Sequence, residues 1–135
     1  MGKKFKFEVL TPERVFYTDE VDMIIFNTPA GEMGILPDHM PMVTAVEVGV
    51  LKIKNDEKEE FASIGEGFIE VTKECVTAIV DSAEWPDEID VERAEIAKKR
   101  AEELLKEKRQ DTEMIMMLHA SIKRANTRIK TAKKV

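Results

Sequence analysis

The stretch Trp85–Glu103, WPDEIDVERAEIAKKRAEE, is where the chain changes its repeat. Upstream of it, apolar and polar residues alternate. KFKFEVL puts Phe5, Phe7 and Val9 on one face, the period of a half-buried strand. VDMIIFNT, MVTAVEV, VLKIK, EFASI, GFIEV and CVTAIV follow in the same style, separated by turn-forming segments. AGEMGILPDHMP is the longest break in this series, NDEKEE reads as a polar hairpin connection and GEG as a tight one. Short strands this closely spaced predict a sandwich or flattened barrel rather than alternating βαβ units.

Downstream, the period becomes helical. Pro86 closes the strand region, and neither Pro nor Gly occurs after it. Asp87 or Asp90 can cap a helix by accepting from its first unpaired N–H groups. Ala94, Ala97, Ala101 and Leu104 follow at spacings characteristic of one helical seam. The pattern breaks near KRQDT, where Asp111 or Thr112 can cap a second helix carrying Ile115, Leu118, Ile122, Ala125 and Ile129. Two such seams joined by a short polar turn predict an antiparallel hairpin. The expected organisation is a β domain over residues 1–86 and a helical hairpin over 87–135. Alanine methyls bury little area, so at about 25 cal/mol per Å² an isolated hairpin has net stability near zero. An element so poised can change conformation when a ligand binds.

At 43% hydrophobic residues the chain can build a core, and its 36% charged residues suit a surface-rich helical appendage. The net charge of -6 is unevenly spread. Residues 1–86 carry 8 basic against 17 acidic side chains, and residues 87–135 carry 13 against 10. From Met114 onward there are six Lys or Arg and no acid. That end suits an anionic ligand, an acidic protein groove, nucleic acid or an anionic membrane. No apolar run approaches the roughly 20 residues of a membrane span, and MGKKFKFEVL has no apolar stretch of a secretory signal. Gly2 invites myristoylation, but Lys6 stands where that motif wants Ser or Thr. Cys75 is alone, which excludes an internal disulfide and a cysteine metal cluster and points to a reducing compartment.

Catalytic signals are absent. His39 and His119 lie far apart, Cys75 falls in an alternating strand, and no phosphate loop, HExxH or GxSxG occurs. Met114, Met116 and Met117 read as seam fillers or as an adaptable partner surface. The arginines are more telling. Arg93 and Arg100 share one helical face, as do Arg124 and Arg128. Folding the hairpin about residues 110–111 brings 93 opposite 128 and 97 opposite 124. Four guanidiniums then gather at its open end, either as a solvated basic face or as a polyphosphate clamp, since planar guanidiniums grip phosphate oxygens in pairs.

FNTPAGEMGILPDHMPMVTAVEVGVLKI, then GEGFIEV and DEIDVERA, resemble the epsilon subunit of the bacterial F-type ATP synthase, in order and over the whole chain. One departure is Asp38, where the family usually has glycine. The resemblance implies a flattened ten-stranded β-sandwich followed by an antiparallel two-helix hairpin. It implies a non-catalytic rotor subunit that binds the gamma subunit and rests on the c-subunit ring, peripheral to the cytoplasmic face of the cell membrane. The ring-facing segment would be Gly31, Glu32, Met33 and Gly34 through His39. The hairpin would either fold down or extend into the alpha/beta catalytic hexamer and inhibit ATP hydrolysis. Some members hold the folded hairpin with ATP through an Ile-Asp-x-x-Arg-Ala motif, matched here by Ile89, Asp90, Arg93 and Ala94, with Glu84 before it. Arg100 matches on the first helix, and Arg124 and Arg128 match on the second if one residue is inserted near the turn. ATP would then be a regulatory ligand, with or without Mg²⁺, and no catalytic cofactor, metal-ligating residue or nucleic-acid partner is implied. Glu84 and Asp90 would accept from the adenine amino group or orient neighbouring donors, Ile89 and Ala94 would pack on its ring, and the arginines would neutralise phosphate. A free-standing nucleotide sensor with the same clamp is the alternative. A nucleic-acid adaptor is a third reading, weakened by a tail without aromatics for stacking.

Overall fold

The computed structural model describes residues 3–107 and 112–134. They form two compact units, Met1–Glu84 and Trp85–Val135. The first contains ten strands in two five-stranded sheets. These are β1 (Phe5–Leu10), β2 (Val15–Val21), β3 (Met23–Thr28), β4 (Gly31–Ile35) and β5 (Met42–Val46), then β6 (Gly49–Asn55), β7 (Lys58–Ile64), β8 (Gly67–Val71), β9 (Cys75–Val80) and β10 (Ala83–Glu84). The first sheet runs β2-β1-β9-β8-β5 and the second β10-β7-β6-β3-β4. Pairing is antiparallel except between β1 and β9, which run parallel with Phe7 beside Val76 and Val9 beside Ala78.

Alternation supplies the core. Phe7, Val9, Val21, Ile24, Phe26, Leu51, Ile53, Ile69 and Val76 are fully enclosed. Each aliphatic or aromatic side chain of this kind contributes about 1.5–3 kcal/mol on leaving water. Gly67 is needed where β8 and β9 come closest, because a Cβ there would fall on the carbonyl oxygen of Ile79.

Three strands appear where no strand was read. β2 hides behind the polar run Thr18-Asp19-Glu20. β10 is only two residues long. β4 lies inside the AGEMGILPDHMP segment, which is therefore not one long connection: residues 31–35 pair with β3, Ile35 opposite Ile24 and Gly31 opposite Thr28. Its two glycines and exposed Glu32 obscure the strand period. Only 36–41 is a true crossover, and there Asp38 has φ of 66°. That left-handed backbone is what glycine ordinarily supplies at this place, and Asp tolerates it better than most residues.

The second unit opens with a single 3-10 turn, Pro86–Glu88, started by Pro and closed by the Trp85 N–H donating to Glu88 Oε1 at 2.9 Å. Helix α1 (Val91–Glu107) and helix α2 (Thr112–Ala132) follow. They pack on each other, and α2 reaches back to the 3-10 turn, so the pair runs antiparallel. The α1 seam differs from the expected one. Ala94 and Ala101 are buried, but Ala97 and Leu104 are exposed, and Lys98 and Leu105 take the intermediate places. A lysine stem covers apolar surface while its ammonium stays wet, so Lys98 can occupy a seam position that a residue-type reading assigns to Ala97. On α2, Ile115, Leu118, Ile122, Ala125 and Ile129 are all buried or half-buried, as expected. The capping candidate Asp111 and the fold-back at 110–111 lie outside the described residues, as does Gly2.

Candidate functional site

Asp90 initiates α1. Its Oδ1 accepts from the Arg93 N–H at 3.0 Å, and its carbonyl accepts from the Ala94 N–H at 3.0 Å. Asp90 rather than Asp87 is therefore the cap, and capping leaves its second carboxylate oxygen available to a ligand. Ile89 and Ala94, expected to pack on a ligand ring, are 8% and 0% exposed.

The arginines share a side. With Ala94 and Ala101 on the seam, Arg93 and Arg100 each sit one residue before a seam position, about 100° round the helix. Arg124 and Arg128 sit one residue before Ala125 and Ile129 in the same sense. In an antiparallel pair equivalent flanks of the two helices adjoin, so all four occupy one flank of the hairpin. Arg93, Arg100 and Arg124 are exposed and Arg128 is half-buried. Arg93 and Arg100 make no ion pair among the described residues, and Arg124 donates to Ser121 Oγ at 3.2 Å on its own helix. Guanidiniums gathered on one flank favour a polyanion. Glu84 belongs to the other unit, in β10 opposite Ser63.

The sandwich has two unlike ends. The turn after β3 shares one end with the β1–β2, β5–β6, β7–β8 and β9–β10 connections. Carboxylates dominate there: Glu13, Glu32, Glu47, Glu66 and Asp81. Gly31 and Glu32 lie at this end and Met33 and Gly34 lead away from it along β4. His39 is in the crossover at the opposite end, about 15 Å along the strand direction. The five residues expected to face a ring together do not form one surface.

A further surface was not anticipated. On the outer face of the first sheet, Ala45 pairs with Phe68, Phe68 with Ile79, Ile79 with Leu10, and Leu10 with Val15. This apolar row crosses all five strands. Phe68 is 46%, Ile79 40% and Val15 60% exposed. Beside its middle, at β1 and β9, a groove of about 370 Å³ is lined by Leu10, Thr11, Pro12, Ile79, Val80 and Asp81. The signal was legible: Phe68 and Ile79 put large apolar groups at outward positions of GFIEV and CVTAIV, where a solvated face would place polar ones.

Among the described residues no cluster of ligating side chains could hold a metal, and no helix is long and apolar enough to cross a membrane.

Comparison with known proteins covers both units. The beta-sandwich domain of the ATP synthase Delta/Epsilon chain matches residues 4–86, and the long alpha-helix domain of the same chain matches residues 87–133. The ATP synthase epsilon chain of Caldanaerobacter subterraneus subsp. tengcongensis is 47% identical over 135 residues, 99% of this chain and 97% of that one. The epsilon chain of Halalkalibacterium halodurans is 38% identical over 124 residues, 92% and 93% of the two chains. Among solved structures, a chain of the Euglena gracilis mitochondrial ATP synthase (OSCP/F1/c-ring) superimposes with a TM-score of 0.83 at 20% identity, covering 96% of this chain and 81% of that one. A chain of the Tetrahymena thermophila mitochondrial ATP synthase central stalk and c-ring gives 0.61 at 16% identity, covering 98% and 96%. At those identities the two structures establish the fold.

Proposed function

The chain belongs to the ATP synthase epsilon-chain family and is a subunit rather than an enzyme, and from that premise we propose that it couples the gamma subunit to the c-ring and restrains ATP hydrolysis through an ATP-responsive hairpin. The observation that carries the regulatory half is the arginine flank: guanidiniums from both helices on one side, two of them without ion pairs among the described residues. A triphosphate bridging Arg93 and Arg100 to Arg124 and Arg128 ties α1 to α2. Its contribution, RT ln(1 + [L]/Kd), is about 2.7 kcal/mol at a hundredfold excess over Kd. That is enough to set the state of an element with little stability of its own. When ATP falls, the hairpin is released, and its basic second helix suits acidic surfaces of the alpha/beta hexamer.

The coupling half is supported by the apolar row and by the acidic end. Gamma covers the row, and Gly31 and Glu32 at the carboxylate-rich end meet the ring. The protein then sits peripherally at the cytoplasmic face of the membrane.

Hydrogen exchange tests the regulatory half. ATP should protect residues 91–107 and 112–132 in the wild type but not in Arg93→Ala with Arg128→Ala. Equal protection of both proteins would exclude the clamp. For coupling, Phe68→Ser with Ile79→Ser should leave the sandwich within about 0.5 kcal/mol per site of wild type, as befits exposed positions. The same pair should abolish co-purification with gamma, whereas Glu32→Lys should weaken retention on the ring alone. Normal gamma binding by the serine pair would place gamma elsewhere.

A further inference from the structure

Four strands form the edges of the two sheets, and three of them are protected against further pairing. β2 carries Asp19 and Glu20, β4 has two glycines and Glu32, and β10 is two residues long. Charge, irregularity and brevity are common defences of a strand edge. β5 has none of these: Met42–Val46 reads MVTAV, and Val43 is 67% exposed. We propose that β5 pairs with β5 of a second copy of this chain, antiparallel, about a two-fold axis at Thr44.

The backbone fixes which groups are on offer. Successive residues of a strand turn their N–H and C=O groups to opposite sides. In the β8–β9 ladder the Thr72 N–H donates to the Cys75 carbonyl and the Asp81 N–H to the Glu66 carbonyl, both at 2.9 Å. Phe68 and Glu70 therefore face β9, while Gly67, Ile69 and Val71 face β5. Their partners Val46, Thr44 and Met42 face back to β8. Val43, Ala45 and Glu47 are left pointing away from β8. Glu47 shows the sense directly, because its N–H donates to the Asn27 carbonyl on β3 at 2.9 Å. The open groups belong to Val43 and Ala45. Among the described residues the Ala45 carbonyl takes only the Thr44 hydroxyl, at 3.3 Å.

The register selects the occupant. With the axis at Thr44, residue 43 stands opposite 45 of the other copy, and 41 stands opposite 47. The Val43 N–H meets the Ala45 carbonyl, the Ala45 N–H meets the Val43 carbonyl, and the axis repeats both bonds. In the next pair Pro41 has no N–H, and the Glu47 N–H is already committed to Asn27. The two residues that cannot donate face each other. Sliding the register by two in either direction sets one of them against Val43 or Ala45 and loses a bond. Glu47 also meets Pro41 rather than an acid, and Thr44 meets its own copy, a favourable cross-strand pair. The interface is small, so the dimer should form at concentrations on the order of 100 μM and above. Each chain carries a net charge of -6, so added salt should strengthen the dimer by screening repulsion.

The test is sedimentation velocity and amide hydrogen exchange of the full chain, from about tenfold below that concentration to about tenfold above it. As the dimer fills, exchange at Val43 and Ala45 should slow about tenfold, while Thr44, whose N–H faces β8, is unchanged. Val43→Lys should remove the dimer and keep the thermal midpoint, as the position is exposed. In a Cys75→Ser background, Thr44→Cys should give a disulfide-linked dimer on mild oxidation. Opposed residues of a non-hydrogen-bonded pair lie about 4.5 Å apart, within disulfide reach. Phe68→Ser with Ile79→Ser must leave the dimer intact, which separates this edge from the apolar row and from the gamma reading. A monomer at every concentration would overturn the pairing and leave the edge to a strand of another protein. Unchanged exchange at Val43 and Ala45, a dimer that survives Val43→Lys, or one lost with the serine pair would overturn it equally.

Discussion

Asp22 stands between β2 and β3, where the chain leaves the first sheet for the second. Its carboxylate accepts from the Asp56 N–H at 2.6 Å and pairs with Lys4, so one side chain joins the start of β1, the sheet crossover and the β6–β7 turn. The Asp56 N–H, foremost, and Lys4 hold the Asp22 carboxyl below its ordinary 3.8, against a smaller opposing effect of burial. A carboxylate with a depressed folded pKa stabilises the protein above its unfolded pKa, and that stability is lost as pH falls through the folded value. The thermal midpoint should therefore drop as pH falls below about 4. Asp22→Asn should start lower at neutral pH and show a shallower acid dependence, measured by circular dichroism melts across that range. Parallel curves for the two proteins would show that the carboxylate charge is irrelevant there. No residue-type pattern marks Asp22, because its partners lie 18 and 34 positions away in the sequence. By contrast, the Asp90 cap was legible, because its partner is the backbone three residues on.

Among elements, legibility follows the apolar content of the buried face. β1, β6 and β9 bury alternate large side chains and announce themselves. β2 and β4 are sheet edges with few buried residues, and edges are kept polar, short or glycine-containing to discourage pairing with other chains. Their backbones are ordered by ladders to neighbouring strands that local sequence cannot show. The arginine flank was visible from spacing, whereas the apolar row required strand pairing to assemble it. In the hairpin, the difference between Ala97 and Lys98 is set by helix rotation, which small alanines constrain weakly. Ala94 on α1 is fully enclosed, as is Thr131 on α2. Ala94→Leu should cost about 1–3 kcal/mol by forcing side chains and backbone apart. Hydrogen exchange should show the loss across α1 and α2 with protection of β1 and β9 unchanged. A uniform loss over all elements would mean that the hairpin and sandwich unfold together.

For the whole molecule, two compact units predict separable folding. A chain ending at Pro86 should give a cooperative β-type melt, because its core draws on strands upstream of that point, and under the proposed function it should retain gamma and lose ATP-sensitive inhibition. An unfolded product would show that the helices complete the core. The parallel pairing of β1 with β9 adds a constraint of timing. β1 sits between β2 and β9, so the first sheet cannot close until residues 75–79 have arrived to pair with residues 6–10. Synthesis from the N-terminus must therefore leave β1 and its β2 partner waiting, one flank uncovered, until almost the whole first unit has left the ribosome. The hairpin, built from neighbours in sequence, emerges last and folds from local contacts without that delay. A nascent chain from which residues 75–79 have not yet emerged is thus an aggregation hazard, and one that has emerged through Pro86 already carries a finished sandwich.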